Sequence, residues 1–349
     1  MRIKPGLRHS AARATLNMKP VVFFLTLCLV ATPLAAQERE TTPEIPFQVV
    51  QNFLKLPPDI YMAEVVGVDV DSKGHIYVIN RGNHPLLEFA PDGTFVREMA
   101  TGLPLFEGAH SVRVDPQDNL WYVDAATNLV VMFDTEKRLQ FVLGRRPEPW
   151  VWLTHVIEHA IPAPSNFYQP TDVTWGSDGS VYVADGYGNS RIAKFDKKGN
   201  LVKHWGERRG QPGNFNTPHS IVIDANDNLY VADRGNARIQ VFDTDGNLKD
   251  EWRIGGAPWS ICITPGPNPV LFVGSSGRIF KVDLNGKVLG SLGEFGRVPG
   301  TVDWVHAVAC PDENTLFAAQ ELAWRLDKMI LGAASSEPAT SADSSAGRN

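Results

Sequence analysis

Three of the nine histidines in this 349-residue chain recur in one local pattern that suits metal binding. Each stands two residues before the first aliphatic residue of an apolar stretch, in HSVRVD (His110), HSIVID (His219) and HAVACP (His306). Three neutral imidazoles leave a fourth coordination position open, which is the ligand arrangement of a catalytic rather than a structural metal site. Zinc is the first ion expected, and other divalent first-row metals also suit these ligands. The pattern therefore predicts one metal site per chain, provided that the three segments meet in space.

Two arginines and a tyrosine recur at the ends of short apolar stretches. Arg81 and Arg234 stand in VINRGN and VADRGN, and Tyr187 lies one position further along in VADGYGN. A guanidinium binds a carboxylate through two parallel hydrogen bonds. A phenol near a dication and a guanidinium has its anionic form favoured, which suits a general base. We therefore expect these three residues to be catalytic, although loop arginines are also commonly solvated surface charges.

Internal repeats indicate how these residues are positioned. The clearest copies span 170–206 and 218–255, and each reads as four short strands joined by turns rich in Asp, Asn and Gly. Further copies span 65–99, 109–144, 258–293 and 303–330. Six units of about 40 residues with four strands each predict an all-β fold, the six-bladed β-propeller, rather than a sandwich or barrel. A strand within 46–55 is expected to join the last blade and to tie the chain ends together.

The alignment of the six copies places the histidines in alternate blades. The innermost strand of each blade lines the central channel, and one register position on it holds Val66, His110, Thr171, His219, Trp259 and His306. Alternate blades of a six-fold ring lie about 120° apart, so three imidazoles at one height can converge on the axis. The recurrent Asp124, Asp185 and Asp233, which end second strands, are expected to lock turns or blades.

A second pair of histidines lies in an insertion, 145–169, that interrupts the repeats after the second blade. His155 and His159 have the i, i+4 spacing that would place two ligands on one face of a helix. The alternative is a surface loop that packs aromatic residues such as Trp150 and Trp152. We expect this loop, close to the mouth of the channel, rather than a second metal site.

The two ends of the chain do not have the composition of a propeller. Residues 1–36 combine five basic residues, no acidic residue and an apolar run at 21–31, which is the order of a secretory signal peptide. The apolar run is too short to span a bilayer. We expect 37–45 to be a short linker, 46–330 to form the propeller and 331–349 to be a disordered tail. The mature protein is therefore expected to be secreted or periplasmic.

Net charge and cysteine content indicate which partners the protein can bind and whether it forms a disulfide. Removal of 1–36 takes the net charge from −6 to −11, because the five charged residues of that segment are all basic. An acidic chain without a basic run is not expected to bind nucleic acid or an anionic membrane surface. Cys262 lies three residues after Trp259, and Cys310 lies four residues after His306, where Trp259 and His306 occupy the register position of the histidines (the metal register). We therefore expect the two cysteine side chains to face opposite sides of their strands and to remain unbridged. A monomer is expected.

Segments around these residues resemble a known family. GAHSVRVD, NFYQPTDV, ADGYGNSRI, TPHSIVID and VADRGNARIQVF are similar to the catalytic propeller of the peptidyl-α-hydroxyglycine α-amidating lyase family, within the wider NHL-repeat group. The resemblance covers about 65–325. It implies that the family's catalytic tyrosine matches Tyr187 and that its two arginines match Arg81 and Arg234. The zinc ligands of the family match His110, His219 and His306.

The sequence departs from the family pattern at two places. Gly188, Tyr230 and Val241 stand where the animal enzymes have cysteines, so those disulfides are not expected here. Ala307 stands where the family has an aspartate that serves a structural calcium, so a structural Ca²⁺ is not expected either.

The resemblance implies a reaction, and the residues leave two alternatives. The family cleaves the N–C bond of a C-terminal α-hydroxyglycine, which releases glyoxylate and leaves a peptide amide. We therefore expect a zinc-dependent lyase with a small-molecule or peptide substrate that carries a C-terminal carboxylate. A metal-dependent lactonase or other hydrolase is one alternative, and a non-catalytic NHL-repeat scaffold is the other, because propellers host many functions.

Overall fold

The computed structural model describes residues 42–103, 105, 107–146 and 164–332. The predicted signal peptide lies outside the described residues, as do the tail from 333 onward and the middle of the insertion with its two histidines. Within the described ranges, no helix has the length and apolar character that a membrane crossing requires.

The described strands form six antiparallel sheets of four strands each. Blade 1 consists of β2 (Val65–Val70), β3 (Ile76–Asn80), β4 (Leu86–Phe89) and β5 (Phe95–Glu98). Blade 2 consists of β6 (Ala109–Val114), β7 (Leu120–Asp124), β8 (Leu129–Phe133) and β9 (Leu139–Gly144). Blade 3 consists of β10 (Asp172–Trp175), β11 (Val181–Asp185), β12 (Arg191–Phe195) and β13 (Leu201–Trp205).

The remaining three blades follow the same plan, apart from the origin of the final strand. Blade 4 consists of β14 (Pro218–Ile223), β15 (Leu229–Asp233), β16 (Arg238–Phe242) and β17 (Leu248–Trp252). Blade 5 consists of β18 (Ser260–Ile263), β19 (Leu271–Gly274), β20 (Ile279–Val282) and β21 (Val288–Leu292). Blade 6 consists of β22 (Val305–Ala309), β23 (Thr315–Gln320), β24 (Arg325–Leu331) and β1 (Phe47–Val49).

The last blade joins the two ends of the propeller. β1 pairs antiparallel with β24, with Phe47 opposite Leu331 and Val49 opposite Met329. The prediction that a strand before the first full repeat completes the last blade is confirmed. The all-β, six-bladed propeller predicted from the repeats is also confirmed.

The recurrent Asp and Gly residues form the turns between outer strands. Asp196 Oδ1 accepts hydrogen bonds from the backbone N–H groups of Lys198 and Asn200, at 2.9 and 2.8 Å. Gly199 in the same turn has φ +84°, a conformation that costs glycine little. The turn at Asp243 repeats this pattern. Each turn therefore satisfies its own backbone donors and reverses the chain at a fixed position.

The hydrophobic core lies between blades. The buried apolar residues of the described chain form six clusters, one at each interface between neighbouring blades. Each fully buried aliphatic or aromatic side chain contributes about 1.5–3 kcal/mol relative to an exposed one. Face-to-face packing of the sheets therefore supplies most of the stability and fixes each blade relative to the next.

Three buried aspartates hold the inner half of their blades together. Asp124, Asp185 and Asp233 are fully buried. Asp185, for example, accepts the Tyr168 N–H at 2.8 Å and the Arg191 Nε–H at 3.0 Å. The bond from Tyr168 joins the end of the second strand to the segment that precedes the first strand. The prediction that these aspartates lock turns and blades is confirmed.

The inner strands of four blades contain a β-bulge at the same register position. The pairing between the first and second strands skips one residue there. The skipped residues are Val66, His110, His219 and His306. In blades 3 and 5 the equivalent Thr171 and Trp259 directly precede the strand. A bulge re-aims the side chain of the extra residue, which directs these histidines into the channel.

Cys262 and Cys310 form a disulfide between the inner strands of blades 5 and 6, with Cα atoms 6.0 Å apart. The prediction that they are unbridged is wrong. The count of residues does place the two side chains on opposite faces of their own sheets, because Cys262 pairs with Phe272 as Ala309 pairs with Phe317. Neighbouring blades pack opposite faces against each other, however, so both cysteines enter the interface between blades 5 and 6.

Arg113 crosses the channel three residues after His110. Its buried guanidinium donates from Nε to Asp172 Oδ1 at 2.8 Å and from Nη2 to Ser220 Oγ at 3.0 Å. A further bond reaches the Ile261 carbonyl at 3.2 Å. One side chain of blade 2 therefore contacts the inner strands of blades 3, 4 and 5.

Removal of this buried cation should destabilise the propeller. Arg113→Met leaves Asp172 buried without its partner, so we expect the free energy of unfolding in urea to fall by about 3–5 kcal/mol. Arg138→Met provides the control, because Arg138 forms exposed ion pairs and its removal should change little. An equally small change in both variants would show that Arg113 does not hold the blades together.

Candidate metal centre

The bulges bring His110, His219 and His306 to one place in the central channel. The ring centroids are 4.7, 4.8 and 4.9 Å apart in the three pairs. One ligand atom of each lies within 4.8 Å of the others, and all three side chains are buried. In the described part of the chain this is the one group of three or more side chains that could hold a metal ion.

Each of these histidines makes the same hydrogen bond to the next blade around the ring. The Nδ1 atoms of His110, His219 and His306 meet the backbone carbonyls of Thr171, Trp259 and Val66, at 2.6, 2.6 and 2.7 Å. The acceptors are the residues at the same register position as the histidines themselves. Because a carbonyl only accepts, Nδ1 carries the proton and Nε2 keeps a free lone pair. Metal-binding histidines are commonly oriented in this way.

The same surroundings keep the imidazoles neutral. Burial, with the charge of Arg81 as a smaller cause, lowers the pKa of His110 to about 3. Burial and the neighbouring His110 lower the pKa values of His219 and His306 well below the usual range. Neutral imidazole is the form that binds a metal, so the chemistry of these three donors fits a divalent ion.

Tyr187 reaches the histidines from the loop after β11. Its Oη lies 3.1 Å from Nε2 of His110 and 3.1 Å from Nε2 of His219. Burial raises the pKa of the Tyr187 hydroxyl, while the charges of Arg234 and Arg81 lower it. The upward direction prevails, so the surrounding side chains alone keep the phenol neutral. The phenolate expected from the sequence would need the additional charge of a dication.

Arg81 is paired with an acidic residue of blade 6. Its Nη1 donates to Glu321 Oε1 at 2.6 Å, and its Nε donates to the Ala109 carbonyl at 3.3 Å. Glu321 was not among the residues predicted from the sequence. A signal was present, however, because Glu321 directly follows β23 as Arg81 and Arg234 directly follow β3 and β15. The Arg81 guanidinium therefore borders the site with much of its charge balanced.

Arg234 is held by aromatic rings instead. Its guanidinium carbon lies 4.2 Å from the Trp259 ring centroid and 5.3 Å from the Tyr187 ring centroid. Such cation–π contacts stabilise the positive charge, and the guanidinium also hydrogen-bonds the Tyr187 side chain. In the described part of the chain no carboxylate forms an ion pair with Arg234. The structure therefore brings both sequence-predicted arginines to the site in different electrostatic settings.

A pair of tryptophans lies beside the histidines and was missed as a functional feature. Trp259 and Trp304 have ring centroids 4.8 Å apart with a tilt of 35°. The Trp259 ring also lies 5.5 Å from that of His219 and 6.3 Å from that of His306. Trp259 occupies the same register position as the histidines, and Trp304 stands two residues before His306. Their proximity to the metal site could therefore have been predicted from the sequence.

The residues do not fit the structural calcium that the family resemblance would imply. Ala307 supplies no carboxylate, as the sequence indicated. Ala307, Arg113 and Asp172 line the same small cavity next to the histidines. The Arg113–Asp172 ion pair therefore places a cationic side chain of the protein itself at this level of the channel.

Comparisons with known proteins agree with the repeats. The NHL repeat family matches residues 167–195 and 215–242. The fold is similar to the solved structure of streptogramin B lyase, with a TM-score of 0.56 and 14% sequence identity over 82% of this chain and 98% of that one. At this identity the likeness concerns the fold alone.

Curated relatives carry names of two kinds. Peptidylglycine alpha-amidating monooxygenase of Rattus norvegicus is 33% identical over 212 residues, which cover 51% of this chain and 21% of that protein. A probable peptidyl-alpha-hydroxyglycine alpha-amidating lyase of Caenorhabditis elegans is 30% identical over 204 residues, 51% of this chain and 55% of that protein. NHL repeat-containing protein 3 of Homo sapiens is 29% identical over 238 residues, 65% of this chain and 64% of that protein.

The chain thus spans about a fifth of the rat protein and about half of the worm protein. The resemblance seen in the sequence is nevertheless confirmed, because two NHL repeats and relatives named as amidating lyases fall on the same propeller. The chain is a six-bladed β-propeller that carries two NHL repeats and is similar to the peptidyl-α-hydroxyglycine α-amidating lyases.

Proposed function

We propose that this protein is a zinc-dependent lyase that cleaves the N–C bond of a carboxylate-bearing α-hydroxylated amide of the peptidyl-α-hydroxyglycine type. The products are an amide and glyoxylate. His110, His219 and His306 would hold the ion through Nε2. When bound, a divalent ion there would polarise the hydroxyl and carboxylate oxygens of the substrate and favour the phenolate form of Tyr187.

One observation carries the proposal, namely the position of the Tyr187 hydroxyl. It lies 3.1 Å from Nε2 of two of the three histidines, which is hydrogen-bonding distance. A candidate general base must lie within such reach of the group whose proton it abstracts. A substrate hydroxyl next to the three Nε2 atoms would meet this condition.

The protons and electron pairs balance without a further reactant. In its phenolate form, which a bound divalent ion would favour, Tyr187 accepts the proton of the substrate hydroxyl. The electron pair of that O–H bond forms the carbonyl of glyoxylate while the C–N bond breaks, and the nitrogen keeps the bonding pair. The nitrogen is then protonated to give the amide, and the proton held by Tyr187 balances this step. No further reactant is consumed.

The surroundings of the two arginines favour different roles. Arg234 forms no ion pair with a carboxylate of the described chain, so its guanidinium is suited to bind the substrate carboxylate, beside its hydrogen bond to the Tyr187 side chain. Arg81 is engaged by Glu321, and its positive charge lowers the pKa of Tyr187, although less than that of Arg234 does. We therefore propose that Arg234 binds the substrate carboxylate and that Arg81 supports the base.

The alternatives receive less support from the site. A propeller lactonase of the calcium-dependent kind would need a cluster of acidic and amide side chains in the channel. The described residues group three histidines instead. A non-catalytic scaffold, as the name of NHL repeat-containing protein 3 allows, would leave the geometry of Tyr187 and the histidines unexplained.

We also propose that the protein acts outside the cytoplasm as a monomer, on a small-molecule or peptide substrate and without a nucleic-acid partner. The composition of 1–36 supports export. The disulfide between Cys262 and Cys310 is consistent with an oxidising compartment.

Metal content tests the first part of the proposal. The purified protein should contain about one zinc ion per chain, as expected for a single three-histidine site. His110→Ala, His219→Ala and His306→Ala should each lose it, whereas His84→Ala should not, because the His84 Nδ1 contacts Glu98 away from the site. Elemental analysis that finds full metal in all three site variants would refute the site assignment.

The base is tested by Tyr187→Phe. With a peptide that ends in α-hydroxyglycine, the wild-type protein should release glyoxylate and the matching peptide amide. The variant should keep its metal and lose roughly 10²–10⁴-fold in rate, the usual contribution of a positioned base. A wild-type protein that holds zinc but forms no glyoxylate would reject the lyase reading and favour a hydrolase of other substrates.

The carboxylate contact is tested by Arg234→Ala. Hydrogen bonds to a charged group contribute about 1.5–3 kcal/mol, so KM for the free acid should rise by about 10- to 100-fold. An esterified substrate should be much less affected, because it offers no full negative charge. Arg253→Ala, which removes an exposed arginine of the same blade, is the control. Equal losses with the acid and the ester would contradict the assigned role.

A further inference from the structure

Two tryptophans beside the histidines are not accounted for by the fold. Trp259 and Trp304 are partly exposed. Neither belongs to the six clusters that make up the core between blades in the described chain. An apolar surface next to a few convergent polar groups is the usual composition of a small-molecule site. The two rings therefore point to contact with a ligand.

Neighbouring groups contact the Trp259 ring and hold the Trp304 backbone. Trp259 lies against Arg234 on one hand and against the rings of His219 and His306 on the other. The Trp304 carbonyl accepts the backbone N–H of Glu321 at 3.1 Å, next to the Arg81 ion pair. The indole pair thus forms a wall that begins at the proposed carboxylate contact and continues toward blade 6.

The distance from the proposed reaction centre to this wall is about the length of one substrate residue. Consecutive Cα atoms are about 3.8 Å apart across a trans peptide. Because Trp259 lies 4.2 Å from the Arg234 guanidinium, a substrate carboxylate bound by Arg234 would lie beside the ring pair, and the preceding residue would be within reach of it.

We propose that Trp259 and Trp304 form a subsite for an aromatic side chain on the residue that precedes the α-hydroxyglycine. The proposal rests on the proposed function, because it assigns a substrate class to the same site. Aromatic rings pack edge-to-face or offset-stacked against indole rings, and an aromatic side chain gains more from such contact than a small side chain does. A basic side chain is disfavoured because Arg81, Arg234 and the ion would already place positive charge there.

Calorimetry with analogues that lack the reactive hydroxyl tests the subsite without any turnover. The probes are N-acetyl-phenylalanyl-glycine, N-acetyl-alanyl-glycine and N-acetyl-lysyl-glycine, titrated into the zinc-loaded protein. The phenylalanyl compound should bind at least about tenfold more tightly than the alanyl compound, the scale on which apolar pockets discriminate. The lysyl compound should bind no better than the alanyl one.

Substitutions of Trp304 test whether the indole pair causes the preference for the phenylalanyl compound. Trp304→Ala should bring the affinities for the phenylalanyl and alanyl compounds to within about threefold, the level expected once the stacking partner is lost. Trp304→Phe keeps an aromatic ring and should retain part of the preference, which guards against a loss caused by misfolding. Val202→Ala removes an exposed apolar side chain from the outer strand of blade 3 and should leave the preference unchanged.

The possible outcomes test the proposed subsite and the proposed reaction independently. Equal affinities in the wild type, an unchanged preference in Trp304→Ala, or preference for the lysyl compound would each overturn the subsite. If the hydroxylated phenylalanyl peptide gives glyoxylate but the analogues show no preference, the lyase stands and the subsite fails. If the preference is found but no glyoxylate forms, the subsite stands and the proposed reaction fails.

Discussion

The site depends on one hydrogen bond that is repeated three times around the ring, from Nδ1 of a histidine to a backbone carbonyl of the next blade. Because the donor and the acceptor belong to different blades, each contact holds only while neighbouring blades keep their relative positions. The packed interfaces between blades set those positions, and the pairing of β1 with β24 closes the ring. A side-chain orientation that a metal site requires is thus fixed by the packing of the whole propeller.

Burial and charge oppose each other at this site, and their balance determines its chemistry. Burial keeps the three imidazoles neutral, which suits a ligand, but it also raises the pKa of Tyr187, which does not suit a base. Two guanidinium groups act against that rise, and neither is fully neutralised. Arg81 shares its charge with Glu321, and Arg234 is stabilised by ring faces. An ion between the histidines would add the charge that the side chains lack.

Much of the fold could be predicted because a propeller repeats its pattern in the sequence. The six units and the added strand of the last blade follow from strand periodicity and turn residues. The bulges do not, because an extra residue in a strand leaves the apolar pattern almost unchanged while it shifts every later side chain by one position. The disulfide was missed for a different reason: Cys262 and Cys310 do lie on opposite faces of equivalent strands, and these are the faces that blades 5 and 6 pack against each other. Partners far apart in sequence, such as Arg113 with Asp172 and Arg81 with Glu321, likewise become visible only in three dimensions.

The central claim is that alternating histidines present three Nε2 atoms to one ion on the channel axis. Anomalous diffraction from crystals of the zinc-loaded protein, measured on both sides of the zinc absorption edge, tests this most directly. We expect a single strong peak at bonding distance, about 2.0–2.1 Å, from Nε2 of His110, His219 and His306, with every Nδ1 still bonded to its carbonyl. No peak between the histidines, or an ion bound through Nδ1 with those carbonyl contacts broken, would contradict it.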